Sequence, residues 1–595
     1  MPDWRSRSAR GSGHGLRPGG RLRRAATRPA LSVTKPVYVL GTGLSHDGSA
    51  VLLKNGRICV GIEKERVTRV KHDGGNDSEA IHYCLDAAGI GLADLDLVVQ
   101  CANFEVPRRG QYYGPRVFAG ADHPPLVSIS HHLAHAWSAA GTTDFPDCAI
   151  MVIDGCGSPY GQCTDLDGGT ILDDSPGQMW CEKDSLYRFD GRDVVPLIKD
   201  FSPLRSHGPE DVVRMPITEH SIGGFYSSVS NYVFGSMSDA GKLMGLAPYG
   251  RPGAVPHAAF AIRHERLFVE QEWRAALTRP AAGYEDFRAN FQYYADIARW
   301  AQDEVETAIA ALFRARLARF PAERVCYTGG VALNAVANAR LLDDGIVRNL
   351  YLEPAAGDNG IALGCAFYGW MKTLGRARVP HGGSTCFGRI YDAIEIDRAL
   401  ATAPRDWSVA RPDDLLDQVA ALLAEGKTVG WFRDGSEFGP RALGHRSILA
   451  HPGRPGMRDH INAAIKFRED FRPFAPAVLP DRTAAWFEVG RDSPYMILVD
   501  RTREGTRAVL ANVTHVNGTA RVQTVDPKWN ASFHRLIEAF DALTGIPVLL
   551  NTSFNKRGQP IVETPAEAVA LFAETALDVL VLQDVLVVKR APVSP

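Results

Sequence analysis

VYVLGTGLSHDGSAVLLKNGRICVGI (37–62) is the stretch that decides the fold class. VYVL is a short apolar strand, GTGLSHDG a turn-rich break, and SAVLLK runs through Asn55-Gly56 into RICVGI. Asn-Gly between two apolar runs is a strong two-residue hairpin signal, so a strand, a Gly/Ser/Asp turn and a hairpin open the domain. The same order returns further along: CAIMVID (148–154) runs into GCGSPYG, and GQCTD and GGTIL follow. This echo predicts a duplicated α/β domain whose two related halves face each other across a cleft.

Working outward, residues 298–320 have helical spacing of apolar positions, and the strand RVCYTG (324–329) ends at Gly329-Gly330. Near 376–392 the composition turns to Arg, Pro, Gly and Ser, which marks a domain boundary. TVGWF (428–432), IPVLL (546–550) and DVLVL (578–582) then read as strands of a second α/β domain with a twisted mixed sheet. A chain of 595 residues fits this division into a first domain over 36–380 and a second over 381–595. Residues 1–35 carry Arg5, Arg7, Arg10, Arg17, Arg21, Arg23, Arg24 and Arg28 among Ser, Gly and Pro, with almost nothing apolar to bury, and read as a disordered tail.

The hydrophobic fraction of 45% and charged fraction of 23% are those of a soluble globular protein. No apolar run approaches the roughly 20 residues of a membrane helix, and a net charge of -2 gives no electrostatic footprint for nucleic acid. Neither a membrane nor a nucleic-acid partner is therefore expected. The ten cysteines contain no C-x-x-C and read as reduced thiols of a cytoplasmic protein, with Cys59, Cys326 and Cys365 in apolar segments where buried thiols are common.

Three kinds of motif carry chemistry. In HHLAHA (131–136), His131 and His135 stand four apart, so one helix face presents both imidazoles to one ion, although a surface pair would show the same spacing. Asp154 and Asp358 each end an apolar segment in a Gly-rich turn and can complete a His2Asp2 set, whereas His132 points elsewhere. Such mixed ligands suit a divalent ion, Fe2+, Mn2+, Zn2+ or Mg2+, and the sequence does not choose among them. The Gly-rich turns GTGLSHDG, YTGGVALN and PAAGDNGIALG offer backbone N–H groups to phosphate, but none has the spacing of a P-loop or a dinucleotide fingerprint. Finally, FGPRALGHRSIL (438–449) and KFREDFRPFAP (466–476) set Arg441, Arg446, Lys466, Arg468 and Arg472 among Gly, Pro and Phe. THVNGTARVQ adds Arg521, and NTSFN (551–555) adds small polar donors. Cations interleaved with turn residues and aromatics describe a pocket for a small polyanion rather than a solvated face.

Taken in order, SHDGSA, EKERVTRVKHD, HHLAHA, DAGKLMGLAPYG, TGGVALN, PAAGDNG, EFGPRALGHRSIL, KFREDFRPFAP, HVNGTARVQ and LNTSFN resemble the NodU/CmcH/TobZ-type O-carbamoyltransferases, from about Val37 to Val588. The resemblance implies an N-terminal duplicated domain of the actin-like ATPase (ASKHA) class and a C-terminal YrdC-like α/β domain. It implies that carbamoyl phosphate and ATP give carbamoyl-adenylate, whose carbamoyl group passes to a small-molecule hydroxyl acceptor, such as a secondary metabolite or antibiotic. Carried over by motif, His131, His135, Asp154 and Asp358 are the metal ligands, and Gly329, Gly330 and Asn334 contact the adenylate. Arg441, Arg446, Lys466, Arg468, Arg472, Arg521 and Asn551 form the carbamoyl phosphate and ATP set. His46 is the expected general base for the acceptor hydroxyl, with Asp47 orienting it and Asp239 and Lys242 lining the cleft. The sequence departs from the family pattern at Gly48, at Ser158, where a Glu commonly follows the DGxG turn, and at Asn517, where Asp is usual.

Overall fold

The computed structural model describes residues 35–75, 77–102, 117–118, 123–204, 212–213, 218–404 and 406–589. The Arg-rich tail expected at 1–35 lies outside the described residues but for Lys35. Strand β1 (Tyr38–Leu44) has β2 (Ser49–Lys54) and β3 (Arg57–Glu63) on one side, both turned back antiparallel. The reversal falls at Asn55-Gly56, where φ values of 53 and 78 give the left-handed pair that the hairpin turn demands. β4 (Leu97–Ala102) and β5 (Leu126–Ser128) add on the other side, both parallel, giving the order β3-β2-β1-β4-β5.

The second sheet repeats this wiring. β6 (Cys148–Ile153) is flanked by the antiparallel β7 (Cys181–Phe189) and β8 (Val194–Ser202), and on its other side by the parallel β9 (Arg324–Thr328) and β10 (Asn349–Leu352). A two-residue strand, Thr170–Ile171, extends the edge beyond β8. Duplication is thus a fact of topology. It is faint in the residues because strands covered on both faces, such as the wholly buried β6, need only be apolar.

Each repeat follows its fifth strand with a helix: α1 (His131–Thr142) after β5, and later α4 (Ile361–Phe367) after β10. These two helices meet without side chains between them at Gly364, where a Cβ would lie 1.7 Å from the Ala134 carbonyl oxygen. Between them in the chain, α2 (Phe291–Arg319) begins seven residues before the expected 298, and Tyr294 and Ile297 there are as buried as the rest of its inner face. α3 (Ala335–Asp343) starts at Asn334, whose side chain accepts the Ala337 N–H at 3.1 Å.

The C-terminal region is an eight-stranded mixed sheet, built from β11 (Trp407–Ala410), β12 (Val429–Phe432), β13 (Arg446–Ala450), β14 (Ala475–Val478), β15 (Gln523–Thr524), β16 (Val548–Ser553), β17 (Val579–Leu582) and β18 (Val585–Lys589). Its order is β11-β18-β17-β12-β13-β16-β14-β15. Packing is continuous past 376–392: Phe387 and Phe438 belong to the same apolar cluster as β1 and α1, while Leu443, Phe471 and Tyr495 join the cluster around α2. All ten cysteines are free. Cys326 and Cys365 are buried, but Cys59 is exposed, because the first residues of β3 lie beside the hairpin tip, outside the apolar cover. Among the described residues no helix is long and apolar enough to cross a membrane.

Candidate functional site

The two repeats present equivalent corners to one another. The turn after β1 carries His46 and the turn after β6 carries Asp154, while α1 begins at His131 and the turn before α4 holds Asp358. All four corners meet. His131 Nε2 lies 3.0 Å from His135 Nε2, 3.1 Å from Asp154 Oδ2 and 3.4 Å from Asp358 Oδ1, and His46 Nδ1 is 3.0 Å from Asp358 Oδ2. One ligand atom from each of His131, His135, Asp154 and Asp358 fits within a mutual 4.8 Å, and all four residues are buried. Two imidazole nitrogens facing each other and two carboxylates, away from water, are a donor set for a divalent ion: ligands 2.0–2.2 Å from a centre lie at such separations. Burial opposes ionisation of Asp154, yet the hydrogen bond from His131 and the nearby imidazole charges hold its carboxyl below the usual range.

The support beneath the cluster is equally specific. His131 N–H donates to Ser158 Oγ at 2.9 Å, and Glu182 on β7 accepts from the N–H groups of His132 at 3.1 Å and Ser158 at 2.9 Å. Glu182 lies close against Gly157, where a Cβ would meet Glu182 Oε2 at 2.7 Å. Lys199 neutralises Glu182 at 2.5 Å. His132 turns to the neighbouring strand, with Nδ1 2.8 Å from Ser185 Oγ and burial pushing it down to about 4. Asp47 is shared: its Oδ2 lies 3.4 Å from His46 Nε2, while its Oδ1 meets His72 Nδ1 at 2.9 Å.

A cavity of about 290 Å³ lies where the two regions join. One wall comes from the first region, with Gly241, Gly245, Gln302, Asp303, Glu306 and Val336. The other carries Arg441, Arg468, Arg472 and Arg521, with His515 and Asn517. Burial and Arg472 push Arg441 down to about 10. Burial together with Arg441, Arg468 and Arg472 drives Arg521 far below its ordinary value. Arg441 and Arg521 form no hydrogen bond or ion pair among the described residues, so the wall carries uncompensated positive charge. A polyanion with several oxygens would relieve it.

Three other members of the expected anion set stand behind this wall. Arg446 lies with its guanidinium carbon 3.5 Å from the Phe432 ring centroid and donates to the carbonyls of Arg433 and Asp434 at 3.0 and 3.2 Å. Lys466 Nζ donates to the Ser553 carbonyl and to Asn555 Oδ1, both at 2.5 Å. Asn551 Nδ2 donates to the carbonyl of Ala442, the neighbour of Arg441, at 3.2 Å. Each braces the loops that hold the four lining arginines. Asp239 and Lys242 pair at 2.8 Å, and Lys242 reaches Glu469 at 3.3 Å, which sets them beside the cavity. Among the described residues no bond links them to His46 or the His/Asp cluster. Gly329, at φ 90, packs on Ile153, and Gly330 N–H donates to Asp154 Oδ1 at 3.0 Å. Asn334 exchanges hydrogen bonds with Gln302 of the cavity wall at 3.0 and 3.1 Å.

Sequence reading passed over Glu437, Glu469 and Glu182. Glu437 Oε1 accepts the N–H groups of Leu443, His445 and Arg446 at 2.7, 2.7 and 3.2 Å, coiling the Arg441 loop around one carboxylate. The signal available was a lone acid beside glycines in EFGPRALGHR. Asn517 keeps the turn that an Asp would make, accepting from Thr519 N–H at 3.2 Å and Oγ1 at 2.8 Å.

Comparison with known proteins gives this geometry a family. A model described as Carbamoyltransferase N-terminus matches residues 39–112 and 107–367, and one described as Carbamoyltransferase C-terminus matches 420–589. An uncharacterised Synechocystis protein, sll1178, is 32% identical over 634 residues, spanning 93% of this chain and 97% of its own. Nodulation protein NolNO of Sinorhizobium fredii is 33% identical over 587 residues, spanning 92% and 79%. Full-length HypF in its phosphate- and nucleotide-bound form overlaps loosely, with a TM-score of 0.35 and 13% identity over 56% of this chain and 55% of that one. With both family models matched in order along one chain, and with relatives of this identity over nine-tenths of it, the protein belongs to the carbamoyltransferase family.

Proposed function

We propose that the chain makes carbamoyl-adenylate from carbamoyl phosphate and ATP in the arginine-lined cavity and passes the carbamoyl group to a hydroxyl of a small molecule beside the His/Asp cluster. The observation that carries this reading is the pair of half-buried guanidinium groups, Arg441 and Arg521, that line the cavity with no ion-pair partner among the described residues, faced by residues of the other region. Water cleaves carbamoyl phosphate to carbamate and inorganic phosphate, and a carbamate oxygen then attacks the α-phosphorus of ATP, with pyrophosphate leaving. Negative charge then gathers on phosphoryl oxygens, where preorganised guanidinium forks stabilise it most. In this reading 381–595 is the YrdC-like adenylate-forming domain and 36–380 the actin-like transfer domain.

In the transfer step the acceptor oxygen bonds to the carbonyl carbon, AMP departs with the electron pair, and the hydroxyl proton goes to His46. Asp358 holds His46 through Nδ1 at 3.0 Å, while the longer 3.4 Å contact of Nε2 with Asp47 leaves Nε2 as the ring nitrogen that would take the proton once the acceptor hydroxyl displaces Asp47. A divalent ion on His131, His135, Asp154 and Asp358 would supply positive charge for the adenylate phosphate as it leaves. Gly330 holds Asp154 in position through its N–H.

The test needs no acceptor. The purified protein is given ATP, carbamoyl phosphate and Mg2+ with Fe2+, Mn2+ or Zn2+, and pyrophosphate and carbamoyl-adenylate are followed. Pyrophosphate that depends on carbamoyl phosphate, with an adenylate of the matching mass, is the expected result. Pyrophosphate formed equally without carbamoyl phosphate, or none with any ion, would overturn the reading.

A further inference from the structure

We infer that Glu63 is a positioning residue that ties the loop of the adenylate-forming cavity to the turn of the transfer site, and that its loss lets the intermediate escape between the two steps. The inference rests on the two-step reading above. Glu63 ends β3 and is only 4% exposed. Its Oε1 accepts two hydrogen bonds from different regions of the chain: Gly439 N–H at 2.5 Å and Asn359 Nδ2 at 3.2 Å. Gly439 stands two residues before Arg441 of the cavity wall, and Asn359 directly follows Asp358 of the ion cluster. One oxygen atom therefore fixes the separation of two loops that carry different chemistry.

The surrounding contacts reinforce that single point. Arg66, one turn on, donates to the Gly439 carbonyl at 2.7 Å and keeps its Nε 3.4 Å from Glu63 Oε2. Gly439 is held at φ 118, and a Cβ there would lie 3.2 Å from the carbonyl oxygen of Pro354 in the Asp358 loop, so only glycine allows this approach. Lys64 N–H donates to the Gly48 carbonyl at 2.8 Å, adding the His46 turn to the same junction. EKER thus holds three reactive turns at once.

Adhesion between the two regions does not account for this placement, because it is secured elsewhere. Tyr83 OH donates to Glu563 at 2.5 Å, and Arg69 donates to the carbonyls of Ile561 and Pro560 at 2.6 and 2.8 Å, none of them a residue of either reactive set. An acceptor shared by two donors fixes their separation, and a misplacement of about 1 Å can cost a reaction roughly 100-fold.

The test uses the full chain loaded with divalent ion, ATP and carbamoyl phosphate, without acceptor, and measures free against protein-bound carbamoyl-adenylate after rapid filtration. Glu63→Leu, checked for folding by circular dichroism, is expected to raise the free-to-bound ratio at least ~10-fold while pyrophosphate formation continues. Glu63→Gln retains a carbonyl oxygen for both donors and should return the ratio towards that of the unaltered chain. Asn359→Leu cuts the same junction from the other side without leaving Arg66 unpaired, so it remains informative if Glu63→Leu does not fold. Tyr83→Phe, which loses an unrelated contact between the regions, should leave the ratio unmoved. An unmoved ratio in Asn359→Leu, or an equal rise in Tyr83→Phe, overturns the inference. Absence of pyrophosphate from the unaltered chain strikes instead at the two-step reading.

Discussion

Replacing Arg441 by Met should make the ligand-free protein more stable and shrink the stability that a bound polyanion adds. The guanidinium is pushed down from 12.5 to about 10 by burial first and by Arg472 second. At about 1.36 kcal/mol per pH unit, that displacement corresponds to roughly 3 kcal/mol of strain in holding the charge. Arg441 retains partial contact with water, so screening reduces the recoverable part to about 1–2 kcal/mol. The sign follows from linkage. A base whose folded pKa is depressed costs stability at every pH below that value, and the cost disappears only as the pH rises past the unfolded value. At pH 7.5 it is fully present. Met keeps the aliphatic stem and removes the charge, so the urea midpoint of the free protein should rise. Inorganic pyrophosphate is the probe for the other half. At 100 times its Kd it stabilises the unaltered chain by about 2.7 kcal/mol. Loss of one bidentate fork, weakening binding about 10- to 100-fold, leaves only ~0.4–1.4 kcal/mol. A variant that is less stable without pyrophosphate and keeps the full gain with it would show that Arg441 is a structural residue and that the charge deficit is not real.

Three further outcomes are expected. Glu353 is buried, accepts from Thr142 Oγ1 at 2.9 Å and Ala355 N–H at 3.0 Å, and is pushed up to about 7 by burial. As an acid raised on folding, it contributes stability below about pH 4.5 that is lost, by ~3 kcal/mol in all, as the pH climbs to 7. Glu353→Gln should flatten that fall in urea midpoints between pH 5 and 8, and an unchanged slope would count against the assignment. Gly364→Ala drives a methyl into the Ala134 carbonyl and should cost at least about 1–3 kcal/mol. It should also weaken Mn2+ binding by calorimetry, because His131 opens α1 and Asp358 lies just before α4, and both belong to the proposed ligand set. Asp154→Asn should lower the divalent ion bound after dialysis, measured by mass spectrometry, at least about tenfold, and ion content equal to that of the unaltered chain would remove Asp154 from the ligand set.

The hairpin at Asn55-Gly56 and the apolar runs after it were legible because turn chemistry and period are local. His131 and His135 were legible for the same reason: a spacing of four lies within one helix turn. What could not be read was contact between distant segments. Arg441 and Arg446 stand five apart in one motif with the same charge, yet one faces the cavity and the other is turned under Phe432. Periodicity cannot decide this in a loop coiled around Glu437. Lys242 looked like a cleft residue of the first region, but its partner Glu469 comes from the second, more than two hundred residues away. Residues 291–297 escaped the helix pattern because Gln292, Tyr293 and Tyr294 are ambiguous by type, and only the packed interior shows which of them face inward.

The doubled wiring of the first region has a consequence for how such a centre can arise. His46 and Asp154 occupy matching corners of the two repeats, as do His131 and Asp358, and each match sets an imidazole against a carboxylate. A single repeat holds half of the donors and leaves them pointing at empty space. A half-length ancestor could gather a complete set only by pairing with its own copy, on the symmetry axis, with identical side chains on both sides. Two repeats in one chain are under no such obligation: each corner can carry acid or base independently of its match, which is how imidazoles on one side come to face carboxylates on the other.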